Sequence, residues 1–211
     1  MVLAYHLVWT LYGWWLPNDP RGSGSDYIAS WNLFRYGPAT KTRSRRSVAH
    51  RPHDRTERQE AKQALRHPPV ELTGEQALTA AQGFAWAADE SGYLIHACAI
   101  LPSHVHLVIG RHARDVRQIV GHLKARATRL LRLRGPWHAD ERPVWGEHGW
   151  NVFLNDADAV EGAIQYVEDN PPKEGKRLQR WSFVVAFNPS VALATSRSRG
   201  KSASQATRRN N

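Results

Sequence analysis

Two strand-forming runs, Tyr93–Leu101 and His104–Gly110, are separated only by Pro102-Ser103. A gap that short allows nothing but an antiparallel hairpin, and the rest of the chain must be arranged around it. A helix is predicted on each side. The first runs from about 72 to 90, opens on a capping box at Thr73-Gly74-Glu75-Gln76 and closes at Ser91-Gly92. The second, Arg114–Leu133, carries an apolar stripe of Val116, Ile119, Val120, Leu123, Ala127, Leu130 and Leu131. Gly135-Pro136 stops it. Its other face is basic, with Arg117, Lys124, Arg126, Arg129, Arg132 and Arg134.

The outer elements complete a pattern. Leu3–Tyr12 is aromatic and β-branched enough for a strand. Trp150–Leu154 reads as a short strand, and a last helix starts at Asp156 or Asp158, runs to about Asp169 and stops at Pro171-Pro172. The order is strand, helix, strand, strand, helix, strand, helix. Its first six elements give an α+β fold, a ferredoxin-like (split βαβ) antiparallel sheet with helices on one face. The last helix is a C-terminal addition. Turn chemistry fills 14–25, and 35–69 reads as an exposed excursion with a short helix at 54–66. Residues 1–185 are therefore expected to form one domain with a basic insertion at about 13–69. Residues 186–211 are expected to be a basic, disordered tail.

Charge is segregated along the 211 residues. Residues 176–211 hold eight basic residues and no acid, and residues 35–67 hold ten basic residues against three acids. The formal net charge is +10, so the remainder is net acidic. Segregated basic segments suit a polyanion such as nucleic acid, although a solubilising tail would look the same. Cys98 is the sole cysteine, which excludes a disulfide scaffold and a four-cysteine zinc site. No apolar run approaches a membrane span, and the N-terminus lacks the basic segment of a signal peptide. The expectation is a soluble, cytoplasmic protein with no membrane partner.

His104-Val105-His106 opens the second hairpin strand. Side chains alternate across a strand, so both histidines share a face while Val105, Leu107 and Ile109 take the other. Imidazoles about 7 Å apart along a strand can begin a divalent metal site. Two polar residues facing solvent would leave the same pattern. In the last helix Tyr166 and Asn170 are four apart, hence on one face. By themselves they fit a core-covering tyrosine and a C-cap equally well.

Together, Pro102-Ser103-His104-Val105-His106-Leu107-Val108 and Tyr166-Val167-Glu168-Asp169-Asn170-Pro171-Pro172-Lys173-Glu174-Gly175 resemble the single-tyrosine HUH transposases. These are the bacterial single-strand DNA transposases of small insertion sequences and the REP-associated tyrosine transposases. The resemblance covers roughly 2–12 and 72–185, and Ser103 stands where asparagine is usual. It implies that His104 and His106 bind Mg²⁺ or Mn²⁺, with Asn170 as a third, amide ligand. Tyr166 would be the nucleophile, cutting and rejoining DNA through a 5′-phosphotyrosine. The implied partner is single-stranded or hairpin DNA in a nucleoid-associated setting. Relatives include dimers with shared active sites and apparently monomeric forms, so the resemblance leaves homodimer and monomer both open. The alternative is a domesticated hairpin DNA-binding protein that cuts nothing. A replication initiator or relaxase fits less well, given one tyrosine and a short chain.

Further candidates are the basic helix face (Arg117, Lys124, Arg126, Arg129, Arg132), which could track a DNA backbone, and Trp137, Trp145, Trp150 and Trp181, which could stack on bases. Glu147-His148 reads as a structural loop, with a metal or proton-transfer role as the alternative, His96 as a strand residue with a hydrogen-bonded ring, and Arg21 as a loop residue that is either solvated or meets phosphate. Gly13-Trp14-Trp15-Leu16-Pro17-Asn18-Asp19-Pro20-Arg21-Gly22 resembles a stretch that follows the first strand in some relatives; the sequence assigns it no role.

Overall fold

The computed structural model of the protein describes residues 1–20, 31–37, 51–134 and 142–190. Arg21, the stop at Gly135-Pro136, Trp137, the side chain of His148 and the expected disorder of 194–211 lie outside the described residues. The elements are β1 (Ala4–Leu11), α1 (Trp31–Phe34), α2 (Arg55–Gln63), α3 (Gly74–Ser91), β2 (Ile95–Ile100), β3 (His104–Gly110), α4 (Val116–Arg134), β4 (Trp145–Leu154) and α5 (Ala157–Lys173). The strands form one antiparallel sheet in the order β2-β3-β1-β4. α3 joins β1 to β2 across β3, and α4 joins β3 to β4 across β1. This interleaving is the expected ferredoxin-like arrangement.

Side-chain alternation gives the sheet two different faces. Tyr5, Leu7, Trp9 and Leu11 of β1 join Val105, Leu107 and Ile109 of β3 under Phe84 of α3 and Ile119, Leu123 and Leu131 of α4. Their neighbours Ala4 and Val108 join Val160 and Val167 of α5 on the opposite side. α5 is therefore more than an appendage, because it covers the second face. β1 and β3 are consequently buried along nearly their whole length.

The helices start and stop where their end chemistry dictates. Thr73 accepts from the Gln76 amide while the Gln76 side chain accepts from the Thr73 amide, the predicted capping box. α3 crosses α4 so closely that a Cβ on Gly83 would lie 2.6 Å from the Ala127 nitrogen. α5 begins at Asp156, whose carboxylate accepts from the Ala159 amide.

Three expectations are corrected. α5 does not stop before Pro171-Pro172; it includes both. Their missing amides fall in the last turn, and the Glu174 and Lys176 amides take the carbonyls of Asn170 and Pro171 instead. β4 starts at Trp145, five residues before the predicted strand, so Glu147 lies on a strand and not a loop. Its glycines look like turn residues in sequence, yet a Cβ on Gly149 would sit 2.6 Å from the Val8 carbonyl oxygen. They let β4 lie against β1. The excursion is also not wholly exposed. α2 forms where a short helix was expected, and Ala61 is buried with Leu33 and Tyr36 in a small cluster that Leu16, Ala64 and Leu65 border. The four-residue α1 is too short to show a period.

Residues 179–185 close the free edge of β2. The Gln179 amide donates to the Ile100 carbonyl and accepts from the Ile100 amide, both at 2.8 Å. Trp181 donates to the Cys98 carbonyl, and the Val185 amide donates to the Ile95 carbonyl. A side-chain amide thus substitutes for a neighbouring strand. Cys98 itself is buried, which pushes its thiol up and keeps it protonated. Among the described residues no helix is long and apolar enough to cross a membrane.

Lys124 departs from the predicted basic face of α4. Its ammonium donates to the Gly146 carbonyl at 2.7 Å and lies 5.9 Å from the centre of the Trp9 ring. Burial lowers its pKa from 10.5 to about 8.

Two outcomes follow. Gly83→Ala should destabilise the fold by about 1–3 kcal/mol, because the new methyl meets backbone that cannot move aside. Gly121→Ala, at an open position on α4, should instead add up to about 1 kcal/mol. Urea midpoints of the two variants check the contrast. Between pH 8 and 10.5 the unfolded Lys124 holds a proton that the folded one has lost, so stability should rise across that window. Lys124→Met should flatten the rise in urea titrations at stepped pH.

Candidate active site

The second face of the sheet collects histidines. Parity places His104 and His106 of β3 beside His6 of β1, and all three are buried. His104 and His106 ring centres are 4.9 Å apart. His6 Nε2 and His106 Nδ1 are 3.3 Å apart, with the rings stacked at 5.5 Å. His6 is the residue that the sequence reading missed. An isolated histidine in an apolar strand carries no signal until β1 is known to pair with β3 in this register.

α5 lies across this face and brings Tyr166 with it. Its ring centre is 5.7 Å from both His6 and His106. Tyr166 is 42% exposed while its ring is held against the imidazoles. Lys173, nearly two turns on, places its ammonium 5.4 Å from the Tyr166 ring centre. Asn170 is buried, and its Nδ2 donates to the Tyr166 carbonyl at 2.7 Å. It is thus an interior helix residue and not the C-cap that Pro171 suggested. Its side-chain oxygen is the atom left to point elsewhere.

Desolvation sets the charge state of the site. Burial lowers the His6 pKa to about 4, and burial with neighbouring imidazoles holds His106 well below the usual range. Both rings are neutral at pH 7. Glu174 brings a carboxylate 3.8 Å from His104 Nε2, and Ser103 Oγ lies 3.0 Å from His104 Nδ1. Trp15, from the loop after β1, is tilted over the same ring at 6.3 Å.

The other predicted residues lie elsewhere. Arg117, Lys124, Arg126, Arg129 and Arg132 belong to α4, on the far side of the sheet from the histidines. Arg117, Arg129 and Arg132 are exposed, whereas Arg126 is paired with Glu90 at 2.7 Å. Arg126 and Arg129 also flank the Trp86 ring, at 4.6 and 5.2 Å. Glu147 exerts its charge on Lys124, away from the site. His96 is hydrogen-bonded to the Val185 carbonyl, as its strand position suggested. Of the tryptophans expected to stack on bases, Trp145 is buried in the core against Trp9 and Phe84, and Trp181 packs at the β2 edge. Trp150 reaches the site, 6.4 Å from His6.

The chemistry open to this arrangement is narrow. It offers one accessible phenol, neutral imidazoles and a carboxylate, backed by a rigid sheet. The donor set suits a divalent cation, since neutral imidazole and oxygen are ligands that such ions accept. Among the described residues no three of His, Cys, Asp and Glu form a group that could hold a metal ion by themselves.

Residues 70–170 match the family model described as Transposase IS200 like. No curated protein matches the chain. Among solved structures it is similar to a REP-associated tyrosine transposase bound to a REP hairpin, at 14% identity and a TM-score of 0.45, covering 82% of this chain and 68% of that one. It is also similar to a candidate transposase from Deinococcus radiodurans R1, at 16% identity and a TM-score of 0.38, covering 81% of this chain and 91% of that one. The matched residues 70–170 hold the hairpin, both flanking helices and the tyrosine.

Proposed function

We propose that the protein cleaves and rejoins single-stranded DNA, with Tyr166 as nucleophile and hairpin DNA as its partner. One observation carries this: the phenol of α5 meets two imidazoles of the sheet at 5.7 Å, on the face that also holds His104. Tyr166 stays exposed as a residue while its ring keeps to the histidine face.

Tyr166 Oη attacks phosphorus in line and loses its proton. The P–O3′ bond breaks, leaving a 5′-phosphotyrosine and a free 3′-hydroxyl. A 3′-hydroxyl can later attack the phosphotyrosine, so the strand is rejoined without a high-energy cofactor. Mg²⁺ or Mn²⁺ would be held by His104 and His106 with an oxygen from Asn170 or Glu174, and would supply Lewis-acid neutralisation of the phosphodiester charge. His6 orients the His106 ring through the nitrogen at 3.3 Å. The α5 backbone holds Tyr166 against the sheet, which supplies positioning.

The tyrosine and the histidines it meets belong to one chain, so we infer that each subunit works with its own tyrosine, whether or not the protein dimerises.

With labelled hairpin-bearing oligonucleotides and Mn²⁺, the wild type should form a covalent protein–DNA adduct. Tyr166→Phe should form none while keeping its affinity for DNA. His104→Ala and His106→Ala should lower adduct yield by about 10²-fold or more. Wild-type binding without any adduct would favour the non-catalytic hairpin-binding reading. A mixture of Tyr166→Phe and His106→Ala should stay inactive; restored adduct formation would show that tyrosines are exchanged between subunits.

A further inference from the structure

The loop after β1 puts two adjacent tryptophans to opposite uses. Trp14 is an anchor. Its indole donates to the Val70 carbonyl at 2.7 Å, and the Lys62 ammonium of α2 sits 3.9 Å from its ring centre. Trp15 faces the other way, is only partly buried, and tilts over His104 at 6.3 Å. Its φ is +55°, a conformation in which a bulky residue is rare. Such backbone persists only when its surroundings dictate it.

The surroundings here are the insertion itself. Leu16 packs at the border of the Leu33–Tyr36–Ala61 cluster, and Pro17 and Asp19 are buried. Asn18, also at positive φ, donates to the Asp54 carbonyl, and Asp54 is the N-cap of α2. Arg58 of α2 lies 3.8 Å from Asp19. α2 and its cluster thus brace a strained turn that sets an indole beside His104.

We propose that Trp15 is a stacking platform for an unpaired nucleobase next to the scissile phosphate, and that the insertion exists to hold it there. This rests on the reading of the site as one that handles single-stranded DNA. A flat, partly exposed aromatic ring beside a phosphate-directed site offers what a splayed base needs, and it tolerates any base identity. The backbone phosphates then go to the histidine face and the adjoining base to the indole.

The test separates bases from phosphates. Full-length protein is titrated with fluorescein-labelled dT20 and with a base-free abasic 20-mer, by anisotropy. Trp15→Ala and Trp15→Leu should lose about tenfold in dT20 affinity, and their affinity for the abasic strand should stay at the wild-type value. Trp15→Phe, which keeps a ring face, should retain most of the dT20 affinity. Trp31→Ala, an exposed tryptophan on α1, should match the wild type on both strands. Equal losses on both strands, or no loss on dT20, would overturn the proposal. The adduct assay with Tyr166→Phe fails independently if the site does no strand chemistry, so the two failures are distinguishable.

Discussion

The pairing of β1 with β3 in its observed register is the constraint on which the structure depends. Both strands are central, and both are covered on each face. Alternation then sorts their side chains without exception: Leu7, Trp9, Val105 and Leu107 go to α3 and α4, and His6, His104 and His106 go to α5. Slipping β3 by one residue against β1 would drive His104 and His106 into the apolar core and bring Val105 and Leu107 under the tyrosine. Stability and site assembly are therefore specified by the same ladder of hydrogen bonds.

Burying imidazoles has a cost, and the site uses it. Removed from water, His6 and His106 are held neutral, so their ring nitrogens keep lone pairs that a protonated ring would lack. The same covering helix that desolvates them carries the phenol. α5 thus joins two tasks: it closes the second hydrophobic cluster through Val160 and Val167, and it places Tyr166 one residue before Val167, at the rim where solvent still reaches.

The basic helix α4 has a different relation to the chemistry. It packs on the opposite face, so its exposed arginines form a surface separated from the site by the thickness of the sheet. Any DNA held there and at the tyrosine would have to pass around an edge. The β2 edge is closed by Gln179 and the residues after it.

Much was legible in the sequence. The two-residue gap at Pro102-Ser103 dictated the hairpin, the capping box at Thr73 set the start of α3, and the spacing of His104 and His106 put them on one face, all because these are local effects with fixed periods. What stayed hidden is non-local. Pro171-Pro172 reads as a stop because a proline lacks an amide, and only the turn after it shows the carbonyls satisfied by Glu174 and Lys176. Gly146 and Gly149 read as turn residues because sequence cannot show Val8 and Thr10 pressing on them. His6 has no motif, since its partner is a hundred residues away. Sequence by itself determined which elements form and which residues share a side, through backbone geometry and side-chain alternation. Tertiary structure alone decided which sides face each other, since that depends on strand pairing and helix packing between segments remote along the chain.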